Sequence, residues 1–134
     1  MDIHTPSLNH LLDSWLDEDI GRGDLTKIAL LGQLGSAHWV AKQQGVFCGG
    51  TLVQRMFQRL DPSIKIDFFF KDGEYFQTGQ RLLRLQGPAA SLATGERTAL
   101  NLAMRLSGIA TSTAILVKEL EGTGIQLADT RKTT

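Results

Sequence analysis

The chain has 134 residues, of which 42% are hydrophobic and 21% charged, and its 14 basic and 14 acidic side chains cancel at pH 7. A chain of this length and composition folds as a globular domain and is too short for a large multidomain enzyme. The balanced charge excludes a broad positive surface for nucleic acid or an anionic membrane, so any anion must be bound by a local cluster.

The single cysteine, Cys48, leaves no internal disulfide, which fits a reducing compartment. No Cys/His set accompanies it, so we interpret it as a small buried apolar residue. The N-terminus lacks the pattern of a secretion signal, and no apolar stretch is expected to reach membrane-spanning length. We therefore expect a cytoplasmic protein with neither a membrane nor a nucleic-acid partner.

The first predicted element is a short amphipathic helix that begins near Pro6 and stops at Gly21, with Thr5 as a candidate cap. Its apolar side chains recur at helical spacing: Leu8, Leu11, Leu12, Trp15 and Leu16. A loop over 21–26 follows, and alternation over 36–43 predicts a half-buried strand.

A second helix is predicted from Gly49-Gly50 to Asp61-Pro62. Its apolar face comprises Leu52, Val53, Met56, Phe57 and Leu60. Strands over 64–70 and 81–86, separated by a turn at Asp72-Gly73, predict two crossings of one sheet.

The longest pattern is a helix that begins near Pro88, with an apolar stripe from Ala99 to Leu120. Gly108 and its small polar neighbours predict a break or a close packing contact there. Gly122 and Gly124 close the helix. The apolar run 125–128 then predicts a buried strand, whose polar carboxyl end is where α/β folds carry substrate-binding groups.

Two clusters could bind an anion. Residues 129–134 offer a guanidinium, an ammonium and three hydroxyls, which suit a carboxylate or a phosphate, although composition alone favours a solvated polar tail. Arg97, Asn101 and Arg105 lie at four-residue spacing on one face of the long helix. That face is either an anion-facing or partner-facing strip or a solvated surface, and the pattern by itself favours the latter.

No metal site is predicted. The acidic group Asp17, Glu18, Asp19 and Asp24 matches no calcium loop and lies mostly at a helix end. The three histidines, His4, His10 and His38, have no nucleophile in a recognisable motif, which argues against a hydrolytic triad.

Four strings along the chain resemble, in the same order, the signatures of the quinolinate phosphoribosyltransferase (nicotinate-nucleotide pyrophosphorylase) family. They are EDIGRGDLT at 18–26, GERTALNL at 95–102, LSGIAT at 106–111 and DTRKT at 129–133. The molybdenum-transport-associated proteins of the same fold share the acidic-Gly-Asp-Leu-Thr and Ser-Gly-Ile-Ala-Thr strings. The segment 96–101 and the aspartate before Thr130 resemble the pyrophosphorylase branch more closely, and the molybdenum-associated homologue remains the alternative.

The resemblance implies an α+β fold: an N-terminal α/β sandwich (hammerhead-like) domain at 1–111, followed at 112–134 by the first helix and strand of a truncated α/β barrel. It also implies a Mg²⁺-dependent pentosyltransferase of NAD biosynthesis. In that reaction quinolinate and phosphoribosyl pyrophosphate give nicotinate mononucleotide, pyrophosphate and CO2, in a homodimer or larger oligomer.

Site residues follow from the same resemblance. Arg97 would bind a quinolinate carboxylate, reaching into the active site of a second subunit. Thr130, Arg131 and Lys132 would line the end of the first barrel strand, with Arg131 on a carboxylate and Lys132 as the catalytic residue near the reacting centre. Family members continue beyond Thr134 with further basic residues and the acidic ligands of Mg²⁺, so this chain is expected to be an N-terminal fragment that is inactive alone.

Two readings of a different class stay open. Residues 72–83 are similar to the half-motif of lipoyl and biotinyl carrier domains, although neither Lys42 nor Lys71 is predicted at an exposed hairpin tip. A non-catalytic dimerisation module is the other, because the stripe from Ala99 to Leu120 would be exposed wherever a barrel should cover it.

Overall fold

A computed structural model describes residues 6–21, 23 and 25–132 of the chain. In chain order the elements are α1 (Pro6–Ile20), α2 (Leu25–Ala29), β1 (Leu34–Val40), β2 (Gly45–Val46), α3 (Gly50–Leu60), β3 (Lys65–Phe68), β4 (Tyr75–Phe76), β5 (Arg81–Pro88) and α4 (Ala89–Glu119). Helices combined with antiparallel strands make this an α+β fold, as predicted. The candidate cap Thr5 lies outside the described residues.

The main sheet has three antiparallel strands in the order β1-β5-β3, so the two predicted crossings are confirmed as β3 and β5. On the central strand β5, Leu83 and Leu85 are 0% and 2% exposed and lie in the core. Arg84 lies between them, opposite His38 of β1 and Asp67 of β3. Because side chains alternate along a strand, one face of the sheet is apolar and covered while the other is polar.

The helices α3 and α4 cover the apolar face. As the periodicity of α3 predicted, its inner side is buried at Val53, Met56 and Phe57. Gly95 of α4 lets the two helices approach closely, because a Cβ at this position would lie 2.7 Å from Phe57 Cε1. The resulting core contains Leu12, Leu16, Trp39, Val53, Met56, Phe57, Ile64, Leu83, Leu85, Leu92, Ala99 and Ala103.

Helix α1 ends before Gly21, which has a φ of 51°. Most of its predicted apolar stripe is confirmed, with Leu12 and Leu16 buried in the shared core, but Leu11 is 44% exposed. An ion pair between Asp13 of α1 and Arg59 of α3 joins the two helices, and the hydrogen bond from Arg59 lowers the pKa of the Asp13 carboxyl below its usual range. Helix α1 is therefore held by its buried leucines in the core and by an ion pair to α3.

Three short elements were not predicted. Helix α2 begins inside the predicted loop over 21–26 and packs against α4. Strands β2 and β4 form a separate two-stranded sheet. Elements of two to five residues carry too few positions for a period of 2 or 3.6 to be visible. The predicted strand over 36–43 forms as β1, but pairing is shifted between Trp39 and Val40 and the strand ends there.

The long helix α4 continues through Gly108, so the predicted break is wrong. A Cβ at Gly108 would meet nothing within 4 Å. The close packing near this position comes instead from two glycines of the opposing segment, which is residues 45–49 and lies against α4. A Cβ at Gly45 would lie 2.6 Å from Thr111 Oγ1, and one at Gly49, whose φ is 102°, would lie 2.8 Å from Leu106 Cδ1.

Two hydroxyl groups of α4 bind the backbone of this opposing segment. Thr111 Oγ1 accepts a hydrogen bond from the Val46 N–H at 2.9 Å and donates one to the Ser107 carbonyl at 2.7 Å. Ser107 Oγ accepts from the Cys48 N–H at 3.0 Å. The small polar residues around Gly108 therefore satisfy backbone donors of β2 and the loop after it.

Replacing Thr111 by valine is expected to lower the free energy of unfolding by about 1–2 kcal/mol, because the part-buried Val46 N–H loses its acceptor. Thr113→Val is the matched control, since the Thr113 hydroxyl donates only within the helix, to the Ile109 carbonyl at 2.8 Å. Urea denaturation of both variants measures the difference. Equal losses in the two variants would contradict a specific role for the Thr111 contact.

The predicted strand over 125–128 is not formed. Residues 125–128 belong to no helix or strand, and Ile125 and Leu127 are 63% and 45% exposed. A strand needs a neighbour that accepts its backbone hydrogen bonds, and no strand of the described residues pairs with this segment. The run is apolar, as a buried strand requires, but no described strand lies beside it to share backbone hydrogen bonds.

The expectation that no apolar stretch reaches membrane-spanning length is also wrong. Helix α4 has 31 residues and contains an 18-residue window with a mean hydropathy of 1.4, enough by length and composition to cross a membrane. Its first half, however, packs within the domain, where Ala90, Leu92, Thr94, Gly95, Ala99 and Ala103 are buried. Only 6% of the 18-residue window is buried, so this helix is not a wholly enclosed core element, and length and composition alone assign it no membrane location.

Candidate functional site

Arg97 lies on the outer side of α4, and 76% of its side chain is exposed. Its Nη1 donates a hydrogen bond to Oδ1 of Asp19 at 3.0 Å. Asp19 lies in the last turn of α1, and its side chain is only 21% exposed. Packing of α1 against α4 thus joins two charged residues that are 78 positions apart.

An open groove of about 670 Å³ lies beside this pair. The end of α1 and Gly23 form one wall, and α4 forms the other. The residues of the α4 wall are Ala93, Thr94, Glu96, Arg97, Leu100, Asn101 and Met104. The groove combines the guanidinium of Arg97 with the side-chain amide of Asn101, a pair able to bind a small carboxylate or phosphate.

The charge of the groove is nevertheless not positive. Among the residues that the structure describes, the carboxylates of Asp19 and Glu96 and the guanidinium of Arg97 give the lining a formal charge of −1. A dianion entering this groove would meet one attractive charge and two repulsive ones. Tight binding of such a ligand therefore requires further positive groups from elsewhere.

Only two of the three residues of the strip predicted on the long helix line the groove. Arg97 and Asn101 line the groove, whereas Arg105 is exposed and is not among the lining residues. Successive steps of four residues drift around a helix of 3.6 residues per turn, which moves Arg105 away from the groove.

The second predicted cluster lies apart from Arg97. Thr130, Arg131 and Lys132 are exposed and belong to no strand, and the Lys132 N–H donates to Thr130 Oγ1 at 3.2 Å. None of the three lines the groove. Thr133 and Thr134 lie outside the described residues. The roles predicted for this cluster stay predictions.

Three of the four acidic residues of the predicted group, Asp17, Glu18 and Asp19, lie near the end of α1 in the described part of the chain. Within residues 6–21, 23 and 25–132, no group of three or more His, Cys, Asp or Glu side chains is placed to hold a metal ion. Asp24 lies outside the described residues. Asp19, instead of binding a cation such as Mg²⁺, pairs with Arg97. This part of the chain therefore does not fit a Mg²⁺ site by itself.

Cys48 is half-buried in the loop before α3. Burial, and secondarily the nearby Asp72 carboxylate, raise the pKa of the Cys48 thiol. Because the thiolate is the reactive form, a raised pKa disfavours a nucleophile at this position. His10 and His38 are exposed on α1 and β1, and His4 lies outside the described residues.

The segment 72–83, which is similar to a carrier half-motif, begins in a turn that is hydrogen-bonded to the neighbouring segment and does not protrude. The Gly73 N–H donates to the Phe47 carbonyl at 2.8 Å. Asp72 Oδ1 accepts from the Gly50 N–H at 2.9 Å, at the start of α3. A carrier lysine must protrude freely at a hairpin tip, whereas Lys71 opens a turn fixed on both sides, so this reading is not supported.

Asp19 is the site residue that sequence reasoning missed. It was considered only as a member of an acidic group, because no local pattern connects it with Arg97. The available signal was that both residues lie in strings that resemble family signatures. Only the packing of α1 on α4 shows that the two strings meet in space.

Comparison with known proteins gives one family and several relatives. A family model described as quinolinate phosphoribosyl transferase, N-terminal domain, matches residues 24–107. A probable nicotinate-nucleotide pyrophosphorylase (carboxylating) of Bacillus subtilis is 43% identical over 128 residues, which cover 95% of this chain and 44% of the relative. One with the same name from Synechocystis is 44% identical over 92% of this chain and 42% of its own length.

A solved structure shows the same fold. The crystal structure of NadC from Streptococcus pyogenes matches with a TM-score of 0.90 and 36% sequence identity, over 97% of this chain and 47% of that one. The chain thus spans less than half the length of the relatives it matches.

Proposed function

This chain belongs to the quinolinate phosphoribosyltransferase family, and we propose that it forms the N-terminal part of a pentosyltransferase of NAD biosynthesis. The whole protein would convert quinolinate and phosphoribosyl pyrophosphate to nicotinate mononucleotide, pyrophosphate and CO2. The observation that carries the proposal is the exposed guanidinium of Arg97, held beside a groove in a domain of this family.

Arg97 would bind one carboxylate of quinolinate. Quinolinate carries two carboxylates, and a guanidinium binds such a group through two parallel N–H···O bonds. The exposure of Arg97 suits a residue that reaches a ligand outside its own domain. We therefore propose that the chain assembles as a homodimer or larger oligomer, in which Arg97 reaches the active site of a second subunit.

Residues 112–134 would begin a second domain, a barrel. Support comes from the apolar side chains exposed in this region, including Ile115 at 56%, Val117 at 48% and Ile125 at 63%. Thr130, Arg131 and Lys132 would then lie at the end of its first strand. There Arg131 would bind a carboxylate, and Lys132 would supply positive charge close to the reacting centre.

Mg²⁺ would act with phosphoribosyl pyrophosphate, neutralising its pyrophosphate oxygens, and its acidic ligands would lie outside this chain. The substrates are small molecules, and no nucleic acid or membrane takes part. We place the protein in the cytoplasm, in keeping with its single cysteine.

The test is calorimetric titration of the chain with quinolinate. We expect weak binding, with a Kd on the order of 1 mM or above, because the described residues of the groove carry a formal charge of −1. Arg97→Ala should weaken it about tenfold or more through loss of a charge-assisted hydrogen bond. Arg131→Ala should change little, since Arg131 lies outside the groove. The same preparations should form no nicotinate mononucleotide.

Arg81→Ala, which removes an exposed arginine from the start of β5, is the matched control. Binding that weakens equally in the Arg81 and Arg97 variants would contradict a specific site. Turnover by the chain alone would contradict the proposal that the reaction needs the remaining part of the protein.

The alternative of a non-catalytic dimerisation module gains no separate support, because the exposed Ile109 and Leu116 of α4 are equally expected where a barrel would cover them. It predicts association of the chain without any response to quinolinate.

A further inference from the structure

We propose that Asp19 is a positioning residue for Arg97: its carboxylate holds the guanidinium at the groove and competes there with the carboxylate of an anionic ligand. The proposal rests on the proposed function, in which Arg97 binds a carboxylate. It adds to that function a second residue that sets both where Arg97 lies and how strongly it attracts an anion.

The contact between the two residues leaves Arg97 open to a ligand. A guanidinium carries five N–H donors in a planar fork, and the hydrogen bond to Asp19 uses Nη1. Because 76% of the Arg97 side chain is exposed, the remaining donors face solvent beside the groove. Arg97 can therefore keep its contact with Asp19 while another carboxylate binds a different edge.

Asp19 is the fixed partner of the pair. Its side chain is 21% exposed, and it lies next to Ile20, which packs against the core. Leu12 and Leu16 bury the inner face of the same helix. The position of the carboxylate is thus determined by the packing of α1, whereas the long arginine side chain has many rotamers in water. Asp19 selects among those rotamers.

The same carboxylate weakens the attraction of Arg97 for an anion. A ligand carboxylate on Arg97 would lie within several ångströms of the Asp19 charge, and Glu96 adds a second negative charge to the groove. In a solvent-exposed groove this repulsion, like the pairing itself, is worth about a two- to fivefold change in an equilibrium constant. Asparagine at position 19 would keep an oxygen acceptor for Arg97 while removing the charge.

The experiment follows the side-chain nitrogen signals of Arg97 by NMR in the chain as it exists, with Arg97→Lys used to assign them. Rotation that exchanges Nη1 with Nη2 is measured without ligand, and quinolinate is then added. Asp19→Asn and Asp19→Ala are compared with Asp17→Asn, which removes the same charge from an exposed residue of the same helix.

Asp19→Ala is expected to speed the exchange about two- to fivefold, because the hydrogen bond that slows it is lost. Asp19→Asn is expected to lower the quinolinate concentration at half-saturation by about two- to fivefold, while Asp17→Asn leaves both quantities close to the wild type.

Two results would overturn the proposal. One is an exchange rate that is the same in the wild type and in Asp19→Ala. The other is an equal gain in affinity from Asp17→Asn and Asp19→Asn, which would be a general charge effect. If quinolinate moves the Arg97 signals in no variant, the proposed function of Arg97 fails in this chain, and the exchange rates still decide whether Asp19 holds the guanidinium.

Discussion

Replacing Phe57 by alanine is expected to lower the free energy of unfolding by about 3–5 kcal/mol, among the largest effects of a single substitution in this chain. Phe57 is 0% exposed and lies where α3 meets α4. Its ring packs against Gly95, which has no side chain to fill the space left behind. The loss has two parts. Apolar surface is no longer buried, and a cavity remains between α3 and α4 that the packed helices cannot easily close.

Phe69→Ala is the matched control, because Phe69 is 50% exposed. Removing its ring should cost about 1 kcal/mol or less. Urea denaturation followed by tryptophan fluorescence measures both, since Trp39 lies in the same core as Phe57. Similar losses from the two variants would contradict the position of Phe57 at the centre of the core.

The second large effect concerns association of the chain. Ile109 and Leu116 lie two turns apart on one face of α4 and are 56% and 48% exposed. Exposed apolar surface on this scale marks an interaction site, so the isolated chain is expected to self-associate at micromolar concentrations. The double variant Ile109→Lys, Leu116→Lys should lower the association constant by about 100-fold or more, because each buried side chain contributes about 1.5–3 kcal/mol.

Sedimentation over a range of concentrations distinguishes the two states. The control is the double variant Gln43→Lys, Gln44→Lys, which adds the same charge to an exposed loop between β1 and β2. A wild-type chain that stays monomeric at all concentrations would show that this face of α4 does not self-associate. Equal effects of both double variants would attribute the change to net charge alone.

Self-association and ligand binding are separable in these experiments. The groove beside Arg97 lies along the first half of α4, whereas Ile109 and Leu116 lie in its second half. If association is needed to complete the site, the lysine variant that stays monomeric should lose quinolinate binding while its fold is retained. If it is not needed, the binding should be unchanged.

Several elements could be predicted from the sequence because their information is local. The apolar faces of α1 and α3 repeat at helical spacing, so burial of Leu12 and Phe57 followed from period alone. Arg97 could be predicted as a candidate site residue because it lies in a contiguous string that resembles a family signature.

The errors arose where structure depends on partners distant in the chain. The apolar run at 125–128 met the local requirement for a strand, but a strand also needs a neighbour for its backbone hydrogen bonds. Gly108 was expected to break α4 or to allow close packing. The segment that packs against α4 instead approaches it closely through its own glycines, Gly45 and Gly49. Neither outcome can be read from a single segment.

The family, the main helices and strands, and the choice of Arg97 as a candidate site residue could be predicted from the sequence, since contiguous strings and short periods encode these features. The packing of the helices was needed to show that Asp19 contacts Arg97 and that Arg105 lies outside the groove. Both features depend on how α1 packs against α4 and on how the side chains turn around the α4 axis. Such contacts join residues whose separation along the chain carries no periodic signal.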